Sequence, residues 1–82
     1  MPRRAGMQVY FIADELGHVK IGTSKAPLAR LEELQAGNPT RLRLVQSFPG
    51  GHDVELELHR HYATYRMHGE WFKIPDDQLI TH

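Results

Sequence analysis

Two short segments of β-type composition, separated by a polar turn, lie near the start of the 82-residue sequence. Residues 8–12 are rich in β-branched and aromatic side chains, and residues 18–22 alternate polar and apolar side chains. This pattern predicts a β-hairpin. A register symmetric about Glu15 would place Tyr10 directly opposite Lys20, because paired residues are equidistant from the centre of the turn. Their side chains would then share one face of the sheet, with Cβ atoms about 5 Å apart.

Proline and glycine divide the rest of the chain into short elements. Leucines recur at helical spacing between Pro27 and Gly37, which predicts a first helix. Residues 41–48 predict a third strand. Residues 53–66 carry an apolar stripe at three- and four-residue spacing and predict a second helix. Residues 69–74 predict a short extended segment that closes the core.

These elements predict a domain of the α/β (α+β) class. We expect a small three-stranded antiparallel sheet flanked by two main helices and a short C-terminal helical turn. With 40% apolar residues the chain can bury one modest core, so we expect a disordered basic tail over residues 1–6 and a single domain over residues 7–82. No stretch approaches the roughly 20 apolar residues that span a bilayer, and cysteine is absent. We therefore expect a cytoplasmic protein without disulfides or cysteine-based zinc sites.

Charge is balanced along the chain. Ten Lys and Arg residues stand against ten Asp and Glu residues, which gives a formal net charge of zero. This balance argues against binding of nucleic acid by bulk electrostatics. Between Lys20 and Arg66, however, basic residues outnumber acidic ones by seven to five. The charge distribution is therefore compatible with a local basic face.

Six short blocks follow one another along nearly the whole chain. They are residues 9–12 (VYFI), 19–24 (VKIGTS), 27–30 (PLAR), 34–39 (LQAGNP), 55–59 (ELELH) and 66–72 (RMHGEWF). In this order they resemble the GIY-YIG nuclease superfamily, in particular its phage-type branch with VKIG as the second motif and a GEWF block. No single block is specific, but their common order argues against a chance resemblance.

The resemblance implies a metal-dependent endonuclease that hydrolyses DNA phosphodiester bonds with a Tyr/Lys-activated water and one divalent cation, Mg²⁺ or Mn²⁺. The residues that match the family's catalytic positions are Tyr10, Lys20, Arg30 and Glu55, and Glu55 also matches the metal ligand. We predict that three residues bind the substrate, namely Arg30, His59 and Arg66.

The chemistry of these residue types agrees with the assignment. A phenol with a pKa of about 10 is a poor base at neutral pH, so a neighbouring Lys20 ammonium group would help by favouring the phenolate of Tyr10. The planar fork of Arg30 can hold a phosphate with two hydrogen bonds. A single carboxylate, here Glu55, together with waters and phosphate oxygens suits Mg²⁺.

Each of these residues also has a structural interpretation. Tyr10 and Lys20 can lie on the solvent face of a hairpin. Arg30 can form an ion pair one helical turn away, and Glu55 can stabilise the dipole of the second helix. His59 lies beside an apolar stripe, where histidines are often structural.

The residues after the second helix are harder to assign. Arg66 and Glu70 are compatible with substrate contact or with a salt bridge, and we interpret Glu70 as structural. Trp71 and Phe72 are expected to be core aromatics rather than base-stacking platforms, because so short a domain has few large side chains. Leu34 stands where many relatives carry His or Tyr, which removes one group that could handle a proton.

Two other functions stay open. A non-cleaving nucleic-acid-binding module with the same fold would bind DNA with or without Mg²⁺. The six histidines suggest a zinc-binding structural protein, but His59 and His61 would point about 200° apart on a helix and cannot easily share one ion. We expect DNA as the partner, no membrane association, and either a homodimer or a partner chain that supplies specificity.

Overall fold

The computed structural model describes residues 6–79. Its elements are β1 (Gln8–Ala13), β2 (Val19–Ser24), α1 (Pro27–Ala36), β3 (Arg43–Pro49), α2 (His52–His61), β4 (Arg66–His68) and β5 (Trp71–Phe72). Short 3₁₀ turns follow α2 and β5, at Ala63–Tyr65 and Asp76–Gln78. Apart from the exposed Gly6, the predicted basic tail lies outside the described residues. Within the described part of the chain, the helices are too short and too polar to cross a membrane.

The sheet has five antiparallel strands in the order β3-β1-β2-β5-β4. The α+β class fits, but the prediction of a three-stranded sheet is wrong. The second helix does not reach Arg66: it ends at His61, and Arg66 begins β4. Gly69, with φ of 58°, reverses the chain so that β5 pairs with the edge of β2. This pairing satisfies backbone N–H and C=O groups that β2 would otherwise expose.

The register of the first hairpin also differs from the prediction. Tyr10 lies opposite Gly22, whereas Lys20 lies opposite Ile12. The turn is therefore centred one residue later than Glu15, since the Asp14 carboxylate accepts hydrogen bonds from two backbone N–H groups of the turn, each 2.8 Å long. The prediction that Tyr10 and Lys20 share one face is confirmed, because a shift of two residues along β2 preserves the alternation of side chains.

Both faces of β1 are buried, each under a different helix. One face contributes to a core with β2, β5 and α2; its buried members are Val9, Phe11, Ala13, Val19, Ile21, Leu58, Tyr62, Phe72 and Ile74. The other face buries Tyr10, Ile12 and Leu42, packed against Leu34 of α1 and against Trp71. The expectation of a core aromatic is confirmed for Phe72, whereas Trp71 is only partly buried and packs against the edge of the second core. Leu34 is part of the α1 packing. Burial on both faces explains why β1 is almost continuously apolar.

A candidate active site beside Gly22

The hydroxyl group of Tyr10 lies against the backbone of Gly22. A Cβ atom on Gly22 would be 2.6 Å from Tyr10 Oη and 3.1 Å from Glu70 Oε1. Both distances are shorter than ordinary van der Waals contact, so glycine is the residue that fits here. The phenol of Tyr10, from β1, and the carboxylate of Glu70, from the turn before β5, therefore both lie next to Gly22 of β2.

Helix α2 brings a second carboxylate to the same place. Glu55 is only 3% exposed, and it is the buried charged residue among those described. Ligand atoms of Glu55, His59 and Glu70 all lie within 4.8 Å of one another. Burial raises the pKa of Glu55, and the negative charge of Glu70 and a hydrogen bond with it raise that pKa further. Two acidic groups therefore converge and favour keeping a proton on Glu55.

Basic and hydrogen-bonding groups hold this carboxylate pair. Lys20 Nζ lies 3.2 Å from Glu70 Oε1 and 5.7 Å from the centre of the Trp71 ring. His59 Nε2 is 2.9 Å from the backbone carbonyl of Ile21 and 3.8 Å from Glu55 Oε2. Lys20 thus forms an ion pair with Glu70, and His59 connects α2 to β2 through its contact with the Ile21 carbonyl.

Arg30 is the positively charged residue that interacts with the Tyr10 hydroxyl group. Its side chain donates a hydrogen bond to the Tyr10 oxygen, and its Nη1 atom also donates to Glu33 at 3.1 Å. The Arg30 side chain is 41% exposed, so its guanidinium group also reaches solvent. Burial raises the pKa of Tyr10 above its ordinary value of 10.0, although the hydrogen bond and charge of Arg30 lower it. The Tyr10 phenol is therefore protonated at neutral pH.

The predicted site residues have different outcomes. Tyr10, Lys20, Arg30 and Glu55 come together through the contacts described above. His59 lies beside them, with Nε2 at hydrogen-bond distance from the backbone and its ring 5.1 Å from that of Phe72. Arg66 does not join them: its Nε atom donates to the Gly69 carbonyl at 2.8 Å and closes the turn that precedes Glu70.

Two site residues were missed by sequence reasoning. Gly22 lies in the VKIGTS block, but the sequence indicates no function for it. Glu70 is predicted from the sequence to be structural. The signal for Glu70 was its place in the GEWF block, immediately before the residue that pairs with Lys20. That signal needed the fifth strand, because only the pairing of β5 with β2 carries Glu70 to Gly22.

The donor set fits a divalent cation. Two carboxylates at close range suit Mg²⁺ or Mn²⁺, and an added imidazole nitrogen is better tolerated by Mn²⁺. The raised pKa of Glu55 also agrees with a cation site, because the protein alone lacks enough nearby positive charge to keep both carboxylates ionised. His59 would have to give up its hydrogen bond to Ile21 before its Nε2 could bind a metal, so the carboxylates would be the primary ligands.

A family model described as the T5orf172 domain matches residues 7–81, which is nearly the whole chain. This is a phage-associated domain related to GIY-YIG and HNH-like nucleases. No curated protein and no solved structure gives a significant match to the chain.

Proposed function

Since the chain belongs to the T5orf172 domain family, we propose that it is an endonuclease that hydrolyses phosphodiester bonds of DNA with one divalent cation. The observation that carries this proposal is that the buried Glu55 and the partly exposed Glu70 bring two carboxylates together beside the Tyr10 hydroxyl group. Burying the Glu55 carboxylate next to a second carboxylate destabilises a fold. A cluster of this kind next to an accessible arginine is typical of a catalytic site.

Arg30 binds the phosphate in this proposal. Its guanidinium group is partly exposed and is held on one side by Tyr10 and on the other by Glu33. A fork fixed in this way is ready to donate to two phosphate oxygens without first losing side-chain freedom. It would also stabilise the negative charge that develops on the phosphoryl group.

Tyr10 orients the attacking water. Its hydroxyl group is protonated in the free protein, so it begins as a hydrogen-bonding group rather than as a strong base. Arg30 already lowers the pKa of Tyr10, and every further positive charge near the phenol favours its ionised form. Tyr10 could therefore accept a proton from the attacking water only after releasing its own phenol proton to solvent, which a bound cation would favour.

Glu55 and Glu70 would hold the cation, with His59 close behind them. When bound, a divalent cation polarises the phosphoryl oxygen and lowers the pKa of a coordinated water. Lys20 keeps Glu70 in place through its 3.2 Å contact and supplies positive charge to the pair. The ammonium group of Lys20 thus serves the phenol indirectly, through the carboxylates.

The proposal is tested by incubating the protein with supercoiled plasmid, with Mg²⁺ or Mn²⁺ and with chelator. We expect cation-dependent nicking, and linear product only where two copies meet, since one site cuts one strand. Tyr10→Phe removes the hydroxyl group but retains the buried ring, so it should lower nicking by about 100-fold. Tyr65→Phe, in the turn after α2, is the matched control and should cleave normally. DNA binding without cleavage under all conditions would instead support a non-cleaving binding module.

A further inference from the structure

A cleft of about 210 Å³ lies beside Trp71, close to the proposed site. It is lined by Asp14, His18, Asn38, Met67, His68 and Trp71. Trp71 follows Glu70 directly in the chain, and the Lys20 ammonium group lies over its ring. Lys20 thus contacts both the Trp71 wall of the cleft and the Glu70 carboxylate.

Polar groups on one side of the cleft have defined hydrogen-bonding roles. His18 Nδ1 lies 2.8 Å from Asp14 Oδ2, which leaves Nε2 as the ring nitrogen that can hydrogen-bond a ligand. Asn38 Oδ1 accepts from the backbone N–H and the hydroxyl group of Thr40, so Asn38 presents its NH₂ group as a donor. The cleft thus offers one imidazole nitrogen and one amide donor from separate segments of the chain.

The other walls are apolar or aromatic. Trp71 and His68 are paired across β5 and β4 and lie on one face of the sheet. Met67 is 56% exposed at the rim, where its flexible thioether can lie against a flat ring. The volume is below the roughly 300 Å³ at which pockets for drug-sized ligands begin. A single planar heterocycle with a mixed donor and acceptor edge matches these walls.

We propose that this cleft binds one unstacked nucleobase of the DNA strand whose phosphate is held at Arg30. This inference rests on the proposed function and narrows its substrate to DNA with at least one unpaired nucleotide. Bases inside a duplex are stacked and paired, so they cannot enter a cleft of this kind without being extruded. Stacking on aromatic side chains is tolerant of base identity, and the polar edge would add a modest preference.

The test uses the intrinsic fluorescence of Trp71, which is the single tryptophan of the chain. The full chain is titrated in chelator with an oligothymidylate and with an abasic oligonucleotide of the same length and charge. We expect the oligothymidylate to quench Trp71 and to bind about tenfold more tightly. The abasic strand should bind through its phosphates and leave the fluorescence unchanged.

Variants of exposed rim residues separate stacking from folding. Met67→Ala and His68→Ala should each reduce the preference for the base-bearing strand by severalfold and leave abasic binding unchanged. Leu56→Ala removes a comparably exposed apolar side chain from α2 and should have no effect. Equal affinity for both strands without quenching would overturn the nucleobase cleft and leave DNA binding intact. Absence of binding to either strand would overturn the proposed function as well.

Discussion

The hydroxyl group of Tyr10 occupies the space that a side chain at Gly22 would need, with only 2.6 Å between Tyr10 Oη and an ideal Cβ position. Tyr10 is 2% exposed, so its ring has little room to move away. The same Cβ would approach Glu70 Oε1 to 3.1 Å. One absent methyl group therefore lets a phenol and a carboxylate approach each other across β2.

Gly22→Ala should both destabilise the fold and stop cleavage. The backbone of Gly22 is ordinary extended strand, where Ala is otherwise the better residue, so a loss of stability would report the clash with Tyr10. We expect about 1–3 kcal/mol of destabilisation in denaturant unfolding. Gly37→Ala is the matched control, because nothing lies within 4 Å of a Cβ at Gly37. Equal unfolding midpoints for Gly22→Ala and the wild type would contradict the close approach.

Glu55→Gln should separate cutting from binding. Gln has the shape of the protonated Glu55 that the raised pKa favours, so the fold should be as stable as the wild type or more so. Plasmid nicking should fall by orders of magnitude, because every loss of about 1.4 kcal/mol of transition-state stabilisation lowers the rate tenfold. Binding measured by fluorescence anisotropy should persist or tighten, because a negative charge near the phosphate is removed.

Glu57→Gln is the control for this substitution, since Glu57 lies exposed on the same helix. It should leave nicking, binding and stability unchanged. If Glu55 served only the helix dipole, Glu55→Gln would cost about 0.3–1 kcal/mol of stability and leave activity nearly intact. Undiminished Mg²⁺-dependent nicking by the variant would reject Glu55 as the metal ligand.

The stability contributed by Glu55 should fall as pH rises. Burial and the neighbouring Glu70 raise the pKa of Glu55 above its ordinary value of 4.5, so the folded protein holds a proton that the unfolded chain releases. Its contribution is full below 4.5 and is lost as pH rises through the folded pKa. The difference in thermal midpoint between the wild type and Glu55→Gln should therefore grow toward neutral pH. Mg²⁺ or Mn²⁺ should reduce that difference, and a difference independent of pH would refute the shifted pKa.

DNA binding should weaken steeply as salt rises, with Arg30 as one of the phosphate contacts. Arg30→Ala should reduce the slope of log affinity against log salt by about one. Cleavage should fall by about 100-fold, because a donor to the developing charge is lost. Arg60→Ala, an exposed arginine on α2, should change neither quantity as strongly. DNA binding that does not change with salt concentration would contradict the proposed contacts with DNA phosphates.

Local sequence signals predicted the elements that depend on nearby residues. The first hairpin and the helix from Pro27 to the glycine after it follow from spacing and turn residues. The buried Phe72 follows from the few large apolar side chains of so short a chain. The register of the hairpin was predicted one residue too early, because the centre of the turn depends on the side-chain hydrogen bonds of Asp14. Composition alone carries no signal for that choice.

Ordered sequence blocks that resemble a nuclease family predict that Tyr10, Lys20, Arg30 and Glu55 lie at one site. How these residues pair depends on the assembled sheet: Arg30 acts on the phenol, and Lys20 contacts Glu70. The assembled sheet also places Glu70 beside Tyr10 and Glu55. The physical reason is that two-residue and three-residue strands have little local preference, and β4 and β5 form because β2 has an open edge to pair with. Contacts that depend on such long-range pairing exist only once the sheet has assembled.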